Sequence, residues 1–400
     1  MNVLVSYGWC RTAYVAAKCL AEAGHDVYVC DPSPLSMTRV SRYVKGFHRV
    51  PAFYRAPEDF VDALAALVGR WKIDLLMPMH EEAVTIQRLR RRLPSQLIVA
   101  APELGQLTLG LDKYKIITVA SSVGVDVPAT YAPASLDDAV EMMLSLRYPL
   151  VIKTRHGNGG KGVVITRTQA ECMHAYTGLV KRFGLGYENL PLLQEFVEGD
   201  LCGGAFLSVE GRVKACFCER YIRCKDNGFG TSVLRERMDG ETGIREATVR
   251  VCSALGWTGV GHFDFIRRRK GGAPVLIEMN PRFWGALSLS VANGLNFPLA
   301  LLHLHTGGNP DKALLAAAGE RKRSLWIAGE IMACVNEVAN KDWRAPMRSL
   351  ERILTIRSNG VFDDFEMRDP LPLIFELLYY GAGFVRARGN RNPVESWMCQ

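Results

Sequence analysis

Short apolar segments alternate with amphipathic ones over the first hundred residues of the chain. The pattern predicts β-strands at residues 2–5, 25–31, 74–78 and 97–101. It also predicts a helix over residues 11–23, which ends at a glycine. Strands that alternate with helices are typical of a parallel α/β sheet. We therefore predict a Rossmann-like domain over residues 1–105.

The turn after the first strand occupies the place where a dinucleotide would bind in such a domain. It reads Gly8-Trp-Cys-Arg-Thr12 and lacks the later glycines of the G-x-G-x-x-G fingerprint. We therefore exclude a nicotinamide site there, since a fold without the site does not give the function.

Beyond residue 105 the pattern changes. Helices are predicted over residues 111–123 and 136–146, and a strand over residues 148–153. From there to about residue 305, strands alternate with hairpins and helices. Residues 306–400 are a mixed segment without an internal repeat.

A glycine-rich segment follows the strand that ends at Lys153. It contains Gly157, Gly159, Gly160, Lys161 and Gly162. Glycines let backbone N–H groups approach phosphate oxygens, and lysines supply the opposite charge. The segment is not a P-loop, because Lys161 is followed by glycine rather than by Ser or Thr. A phosphate-binding loop and a plain hairpin turn both fit this pattern.

Two carboxylates are predicted to face each other across a hairpin. Asp264 lies on one strand, and Glu278 and Asn280 lie two residues apart on the next, so these two side chains share a face. Carboxylate and amide oxygens suit magnesium that is bound together with nucleotide phosphates. Arg282 would share that face if the strand continues, and could stabilise a developing phosphoryl charge. The alternative is a polar strand face with a surface ion pair.

A third segment, residues 191–200, is an apolar strand that leads into an acidic turn. Its backbone could pair with an adenine, and Asp200 could accept a hydrogen bond from a ribose. An ordinary strand and turn is the default interpretation of these residues.

Composition and charge argue against several classes of protein. Apolar residues make up 48% and charged residues 22%, which is ordinary for a globular protein and excludes general disorder. The net charge of +8 is scattered and lacks interleaved aromatic and basic runs, so we do not expect nucleic-acid binding. We also expect no membrane span. Eleven cysteines without metal spacing indicate reduced thiols and a cytoplasmic location.

Together these segments resemble the ATP-grasp superfamily, and within it the carboxylate–amine ligases related to carbamoyl-phosphate synthetase. Lys113 and Lys153 precede the three motifs that resemble the family's signatures. These motifs are Leu193-Gln-Glu-Phe-Val-Glu-Gly-Asp200, Thr231-Ser-Val-Leu-Arg-Glu236 and Glu278-Met-Asn-Pro-Arg-Phe-Trp-Gly285. The resemblance implies an α+β ATP-grasp module over residues 106–305. It divides into a smaller lid-bearing part, 106–190, and a central part, 191–305. Residues 306–400 would complete the module or pack on it.

The resemblance also implies roles for individual residues. Lys113 and Lys153 would hold the ATP phosphates beneath a lid formed by residues 157–162. The adenosine would contact Gln194, Glu195, Phe196, Val197 and Asp200. Asp264, Glu278 and Asn280 would bind magnesium or manganese. Arg282, with Arg235 as a second cation, would stabilise the acyl phosphate.

Two positions depart from the family pattern. Many relatives have Glu where this chain has Asp264, which shortens a metal ligand but keeps its charge. Many also have Glu in place of Gln194, a position that acts largely through geometry near the adenine. ATP binding is still expected.

The implied reaction joins a small-molecule carboxylate, an amino acid or a peptide, to an amine through an acyl phosphate. Two alternatives stay open, a bicarbonate-activating enzyme and a nucleotide-binding regulator without turnover. The sequence does not identify the substrates. Arg223, Lys225 and Trp284 are candidates for the acceptor pocket, and Glu81 either holds a substrate ammonium or begins a helix. The chain is either a monomer or a homodimer.

Overall fold

A five-stranded, fully parallel sheet forms the N-terminal part of the protein. It is seen in a computed structural model, which describes residues 1–157, 159–160, 162–226, 229–269, 271–314 and 322–386. The strands are β1 (Asn2–Val5), β2 (Asp26–Asp31), β3 (Gly46–Arg49), β4 (Leu75–Met77) and β5 (Ile98–Val99). Their order is β3-β2-β1-β4-β5, so the direction of winding reverses next to β1.

Helices cover both faces of this sheet. They are α1 (Arg11–Glu22), α2 (Pro57–Trp71) and α3 (Glu82–Arg88). Successive side chains of a strand point to opposite faces. Accordingly, Val3 and Val5 pack in the core that contains α1, whereas Leu4 packs in the core that contains α2. Four strands and the first helix lie close to their predicted positions. β3 was not predicted, because its sequence Gly-Phe-His-Arg is too polar for a buried strand.

Two short helices lead into a four-stranded antiparallel sheet. The helices are α4 (Leu104–Leu111) and α5 (Lys113–Ser122), where one longer helix was predicted. The strands are β6 (Thr130–Tyr131), β7 (Leu150–Lys153), β8 (Val163–Thr166) and β9 (Leu192–Glu195), in the order β6-β9-β7-β8. The associated helices are α6 (Leu136–Ser145) and α7 (Gln169–Phe183). α6 packs with α7, and their apolar side chains form a core on one face of the sheet.

A seven-stranded sheet forms the largest layer. Its strands are β10 (Gly199–Val209), β11 (Arg212–Asp226), β12 (Phe229–Arg237), β13 (Gly259–Arg268), β14 (Val275–Asn280), β15 (Arg323–Leu325) and β16 (Gly360–Phe362). Their order is β14-β13-β10-β11-β12-β15-β16. The last two strands belong to the C-terminal part of the chain, which therefore extends this sheet.

The remaining helices are α8 (Thr242–Leu255), α9 (Leu287–Ala292), α10 (Phe297–His305), α11 (Ile327–Ala339), α12 (Ala345–Asn359) and α13 (Leu371–Arg386). Within the described residues, no helix has both the length and the apolar character needed to cross a membrane. The protein thus has a mixed α/β fold, as predicted. The domain boundaries at residues 105, 190 and 305 stay a prediction.

Candidate active site

A cavity of about 620 Å³ is lined by strand residues of the four-stranded and seven-stranded sheets and by the segments that follow β1 and β4. Most of the residues predicted for the site line it. These are Lys113, Lys153, Gly157, Gly159, Gly160, Gln194, Glu195, Phe196, Val197, Arg235, Asp264, Glu278, Asn280 and Arg282. The fold therefore brings together residues that are more than 160 positions apart in the sequence.

Two buried lysines lie at the centre of this set. Lys113 begins α5, and its Nζ donates to Gly157 O at 2.6 Å and lies 3.7 Å from Glu278 Oε2. Lys153 ends β7, and its Nζ donates to Ile277 O at 3.0 Å. Burial, together with the positive charge of Lys113, lowers the pKa of Lys153 to about 8. Both ammonium groups are therefore held beside the carboxylate of Glu278.

The predicted pairing of the two carboxylates is confirmed. β13 and β14 are antiparallel neighbours, and Asp264 lies directly opposite Glu278. Burial raises the pKa of Asp264 to about 6, and the charge of Glu278 adds to this effect. Burial alone would also raise the pKa of Glu278, but Lys113 and Lys153 outweigh it and hold that pKa below its usual range. The site favours a charged Glu278 and disfavours two charged carboxylates without an added cation.

Asn280 connects this pair to Arg282. Its Nδ2 donates to Asp264 Oδ2 at 2.8 Å, and its Oδ1 accepts from Arg282 Nη2 at 3.1 Å. The prediction that Arg282 continues the strand face is wrong, because β14 ends at Asn280 and Arg282 lies in the bend that follows. Arg282 Nη1 also donates to Phe283 O at 2.9 Å. The bend, rather than the pleat of the strand, thus orients the guanidinium.

Asp264, Glu278 and Asn280 fit a magnesium ion in donor type. They offer two carboxylates and an amide oxygen, the hard ligands that this ion prefers when phosphates complete its shell. Asn280 turns its nitrogen toward Asp264, so its oxygen would serve as a ligand only after the amide rotates. Among the described residues there is no cluster of three or more His, Cys, Asp and Glu side chains suited to a metal. With only two carboxylates and one amide from this set as ligands, the coordination shell of a magnesium ion would have positions left for phosphate oxygens.

The glycine-rich segment borders the same cavity. Gly157, Gly159, Gly160 and Gly162 all have positive φ, between +63° and +112°. A Cβ on Gly160 would lie 3.0 Å from Gly230 Cα, and one on Gly162 would lie 2.7 Å from the Thr154 hydroxyl. Glycine is therefore required by both conformation and space. Gly162 does not line the cavity. Lys161 lies outside the described residues.

Gln194, Glu195, Phe196 and Val197, the residues predicted to contact the adenine, line the cavity. Gln194 is buried, and its Nε2 donates to Thr130 Oγ1 at 2.7 Å. Glu195 N donates to Ala129 O at 2.8 Å, so this segment is fixed by backbone pairing. Asp200 is exposed and does not line the cavity, although Gly199 and Leu201 on either side of it do.

Arg235 lies in a buried ion pair. It is on β12, and its side chain is 2% exposed. Its guanidinium donates to the carboxylate of Asp363, which follows β16, and to Ser232 O. Arg235 borders the cavity, and each of its two terminal nitrogens already donates one hydrogen bond.

The sequence did not indicate an acidic cluster beside Asp264. Tyr221 Oη donates to Asp264 Oδ1 at 2.6 Å, and His262 lies 3.8 Å from Asp264 and 3.5 Å from Glu219. Burial alone would lower the pKa of His262, but these two carboxylates outweigh it and raise that pKa. Gly203 lies opposite both Asp264 and Glu219 on the central strand β10. This strand pairing brings the cluster together, and no local motif indicates it.

Of the candidates for the acceptor pocket, two line the cavity. Lys225 and Trp284 are among its walls, whereas Arg223 pairs with Glu330 at 3.1 Å and Glu337 at 2.7 Å. Glu81 is the residue that precedes α3, in agreement with a helix start.

Comparisons with known proteins agree with this geometry. A family model described as an ATP-grasp domain matches residues 111–286. Carnosine synthase 1 of Mus musculus is 27% identical over 164 residues, which cover 37% of this chain and 19% of that protein. Biotin carboxylase of Allochromatium vinosum is 24% identical over 220 residues, which cover 51% of this chain and 46% of that protein. The chain thus spans less than half of the length of either relative.

Solved structures share the fold. An L-amino acid ligase from Bacillus licheniformis aligns with a TM-score of 0.60 and 18% identity, covering 76% of this chain and 74% of that chain. An N5-carboxyaminoimidazole synthetase from Staphylococcus aureus, complexed with ADP, aligns with a TM-score of 0.61 and 15% identity, covering 77% of this chain and 78% of that chain. At these identities the likeness is one of fold.

Proposed function

We propose that this chain, whose residues 111–286 match an ATP-grasp domain model, is an ATP-dependent carboxylate–amine ligase. It would form an amide or peptide bond through an acyl phosphate and release ADP and phosphate. The observation that supports this most is the convergence of Lys153, Asp264, Glu278 and Arg282 on one cavity. A protein that only binds nucleotide has no need for this set.

The need for ATP follows from the chemistry of the carboxylate. Attack on a free carboxylate would have to expel oxide, whereas attack on an acyl phosphate expels phosphate. The carboxylate oxygen attacks the γ-phosphorus of ATP, and the bond from this phosphorus to the bridging oxygen of ADP breaks. The amine then attacks the acyl carbon, loses a proton, and phosphate departs with one oxygen of the original carboxylate. In both steps the protein mainly positions reactants and balances charge.

Different residues of the cavity would bind the phosphates, the magnesium ion, the reacting carboxylate and the adenine. Lys113 and Lys153 would hold phosphate oxygens, because both are buried lysines that line the cavity and donate to backbone carbonyl oxygens there. Asp264, Glu278 and Asn280 would hold magnesium, which neutralises phosphate charge when bound. Arg282 would hold the carboxylate and the transferred phosphoryl group in its planar fork. The adenine would lie against Gln194, Glu195, Phe196 and Val197.

The rest of the molecule supports this arrangement. We propose that the five-stranded sheet is a Rossmann-like domain over residues 1–105, with residues 106–305 as the ATP-grasp module. The ten cysteines of the described residues are free thiols, which are typical of the reducing cytoplasm. A cytoplasmic protein, as a monomer or homodimer, is part of the proposal.

Paired substrates test the function directly. Carboxylic acids and amines would be screened in pairs for ADP release, with mass detection of the amide. The proposal expects ADP release that depends on both substrates. Release with bicarbonate alone would favour the bicarbonate-activating alternative, and no release with any substrate would favour the regulator.

Lys153→Ala is expected to weaken ATP binding without destabilising the free protein. A hydrogen bond from a charged group is worth about 1.5–3 kcal/mol, so affinity should fall roughly 10- to 100-fold. Burial lowers the pKa of Lys153 to about 8, so the charged ammonium disfavours the unliganded fold and its removal should not lower the melting temperature of the free protein. The measurement is the rise in melting temperature with ATP and magnesium, which follows binding. Lys214→Ala, on an exposed lysine of β11, is the control. Equal shifts in the parent and in Lys153→Ala would remove Lys153 from the phosphate site.

The glycine-rich segment is expected to act as a lid. Its glycines offer few side-chain contacts, so their amides should exchange with solvent rapidly in the free protein. ATP and magnesium should slow exchange at Gly157, Gly159 and Gly160. Hydrogen–deuterium exchange measures this, with the buried strand β13 as the internal reference. The same exchange rates with and without nucleotide would argue against a lid.

A further inference from the structure

Arg11 is held rigidly at the wall of the cavity. It begins α1, and its side chain is 11% exposed. Its Nε donates to Gly285 O at 3.1 Å, and its guanidinium carbon lies 4.1 Å from the centre of the Trp326 ring. A Cβ on Gly285 would lie 2.4 Å from Arg11 Nη2, so residue 285 must be glycine for Arg11 to occupy this place.

The terminal nitrogens of Arg11 are available to a ligand. Neither nitrogen makes a hydrogen bond with the described residues, and both are accessible to solvent. Arg11 is one of the residues that line the cavity, so a ligand bound there could reach its guanidinium. A guanidinium with one fixed nitrogen and two available ones matches the paired oxygens of a carboxylate.

The charged groups around Arg11 would accommodate an additional anion. Asp363 accepts from Arg235 and lies 3.8 Å from Arg11 Nε, so two guanidinium groups share this carboxylate. Burial and the neighbouring charge of Asp364 raise the pKa of Glu376 well above its usual range, which disfavours the charged form of this carboxyl. Burial and the charge of Arg235 together lower the pKa of Arg11. A further negative charge would therefore stabilise Arg11.

The position of Arg11 separates it from the phosphoryl-transfer residues. It contacts Gly285, three residues beyond Arg282, and among the described residues its hydrogen bond and ion pair go to Gly285 and Asp363 rather than to the residues proposed for ATP phosphate and magnesium. Trp9, Met332 and Tyr380 line the same region, and such apolar walls strengthen an ion pair by excluding water. A carboxylate bound here would lie beside the reacting centre without being the one that is phosphorylated.

We propose that Arg11 binds the free carboxylate of the amine acceptor, so that the acceptor is an amino acid rather than a simple amine. This inference rests on the proposed ligase function. It adds a substrate class and a specificity residue that no local motif in the sequence indicates.

The test compares each amino acid acceptor with its own carboxamide, for example alanine with alaninamide. In the parent, kcat/KM should favour the amino acid by about 100-fold, as expected for a charged, two-pronged contact. Arg11→Gln should lower kcat/KM for the amino acid to the level of the amide, mainly through KM, and leave the amide unchanged. Arg11→Lys keeps the charge without the fork and should retain part of the preference.

Arg220→Gln is the matched control, because Arg220 is an exposed arginine on β11 that does not border the cavity. It should keep the full preference of the parent. If Arg11→Gln slows the amino acid and the amide equally, Arg11 has only a structural role and the proposal is wrong. If Arg11→Gln fails to fold, the same comparison is made with Arg11→Lys. A smaller preference for the amino acid than in the parent supports the proposal, and equal slowing of the amino acid and the amide overturns it.

A second measurement keeps this site separate from the ligase function. The melting temperature of the parent with ADP and magnesium would be recorded with each of the twenty amino acids and with each carboxamide. The proposal expects stabilisation by at least one amino acid over its amide, and loss of that difference in Arg11→Gln. If no substrate pair yields ADP, the ligase proposal fails, and these temperatures still decide whether Arg11 binds a carboxylate. Equal temperatures with every amino acid and its amide would overturn the site.

Discussion

Glu278→Gln is expected to reduce turnover by roughly two to three orders of magnitude while the protein stays folded, because a magnesium ligand contributes several kcal/mol to the transition state. The change keeps the shape of the side chain and removes its charge. In the structure Glu278 lies opposite Asp264 and 3.7 Å from Lys113, so its charge would serve both the proposed magnesium site and the lysines. Without it, two buried ammonium groups share only Asp264.

The measurement is ADP release with a substrate pair that the parent accepts. Glu236→Gln, the same change on a carboxylate that pairs with Arg220 and Arg323 away from the cavity, should retain parental turnover. The melting temperature verifies folding, and it should fall only modestly because the Glu278 side chain is 24% exposed. Parental ADP release by folded Glu278→Gln protein would refute the metal assignment.

Arg282→Lys is expected to retain ATP binding and to lose amide formation by about two or more orders of magnitude, as for removal of a preorganised donor. Arg282 is fixed by Phe283 O at 2.9 Å and by Asn280 Oδ1 at 3.1 Å. These two hydrogen bonds fix the orientation of the planar Arg282 guanidinium just after the end of β14. Lysine keeps the charge, but a single ammonium cannot bridge a carboxylate and a phosphoryl group in a fixed plane.

Two measurements separate the acyl-phosphate mechanism from simple ATP hydrolysis. Hydroxylamine should trap the activated acid as a hydroxamate in the parent, and much less in Arg282→Lys. Oxygen-18 in the substrate carboxylate should appear in the released phosphate. Arg220→Lys, an exposed position on β11, should behave as the parent in both. Unlabelled phosphate during amide formation would show that no acyl phosphate forms, and Arg282 would lose its role.

Much of the fold could be predicted from local patterns, since alternation and turn residues act over short distances. The antiparallel placement of Asp264 against Glu278 followed from a hairpin of a few residues. Arg282 was misplaced because the pleat was extended beyond the end of β14. Asp200 was grouped with its sequence neighbours, although its side chain is exposed and does not line the cavity.

Other residues of the site could not have been found in this way. Arg11 contacts Gly285 across 274 positions, and Glu219 approaches His262 only because β11 and β13 flank β10. These contacts depend on strand order and on the packing of α1 against α9 and α10. Neither the strand order nor this packing produces a hydrophobic periodicity or a residue spacing that can be recognised in the sequence.

The ion pair between Arg235 and Asp363 limits where the chain can be shortened. The family match ends at residue 286, yet β12 pairs with β15, and β15 with β16. A fragment that ends at residue 286 would expose β12 as a sheet edge open to aggregation. It would also leave the Arg235 guanidinium without its carboxylate, a loss of about 3–5 kcal/mol for a buried pair. We therefore expect the smallest fragment that folds by itself to extend at least through Asp363, which makes the C-terminal strands part of the folded unit that contains the cavity.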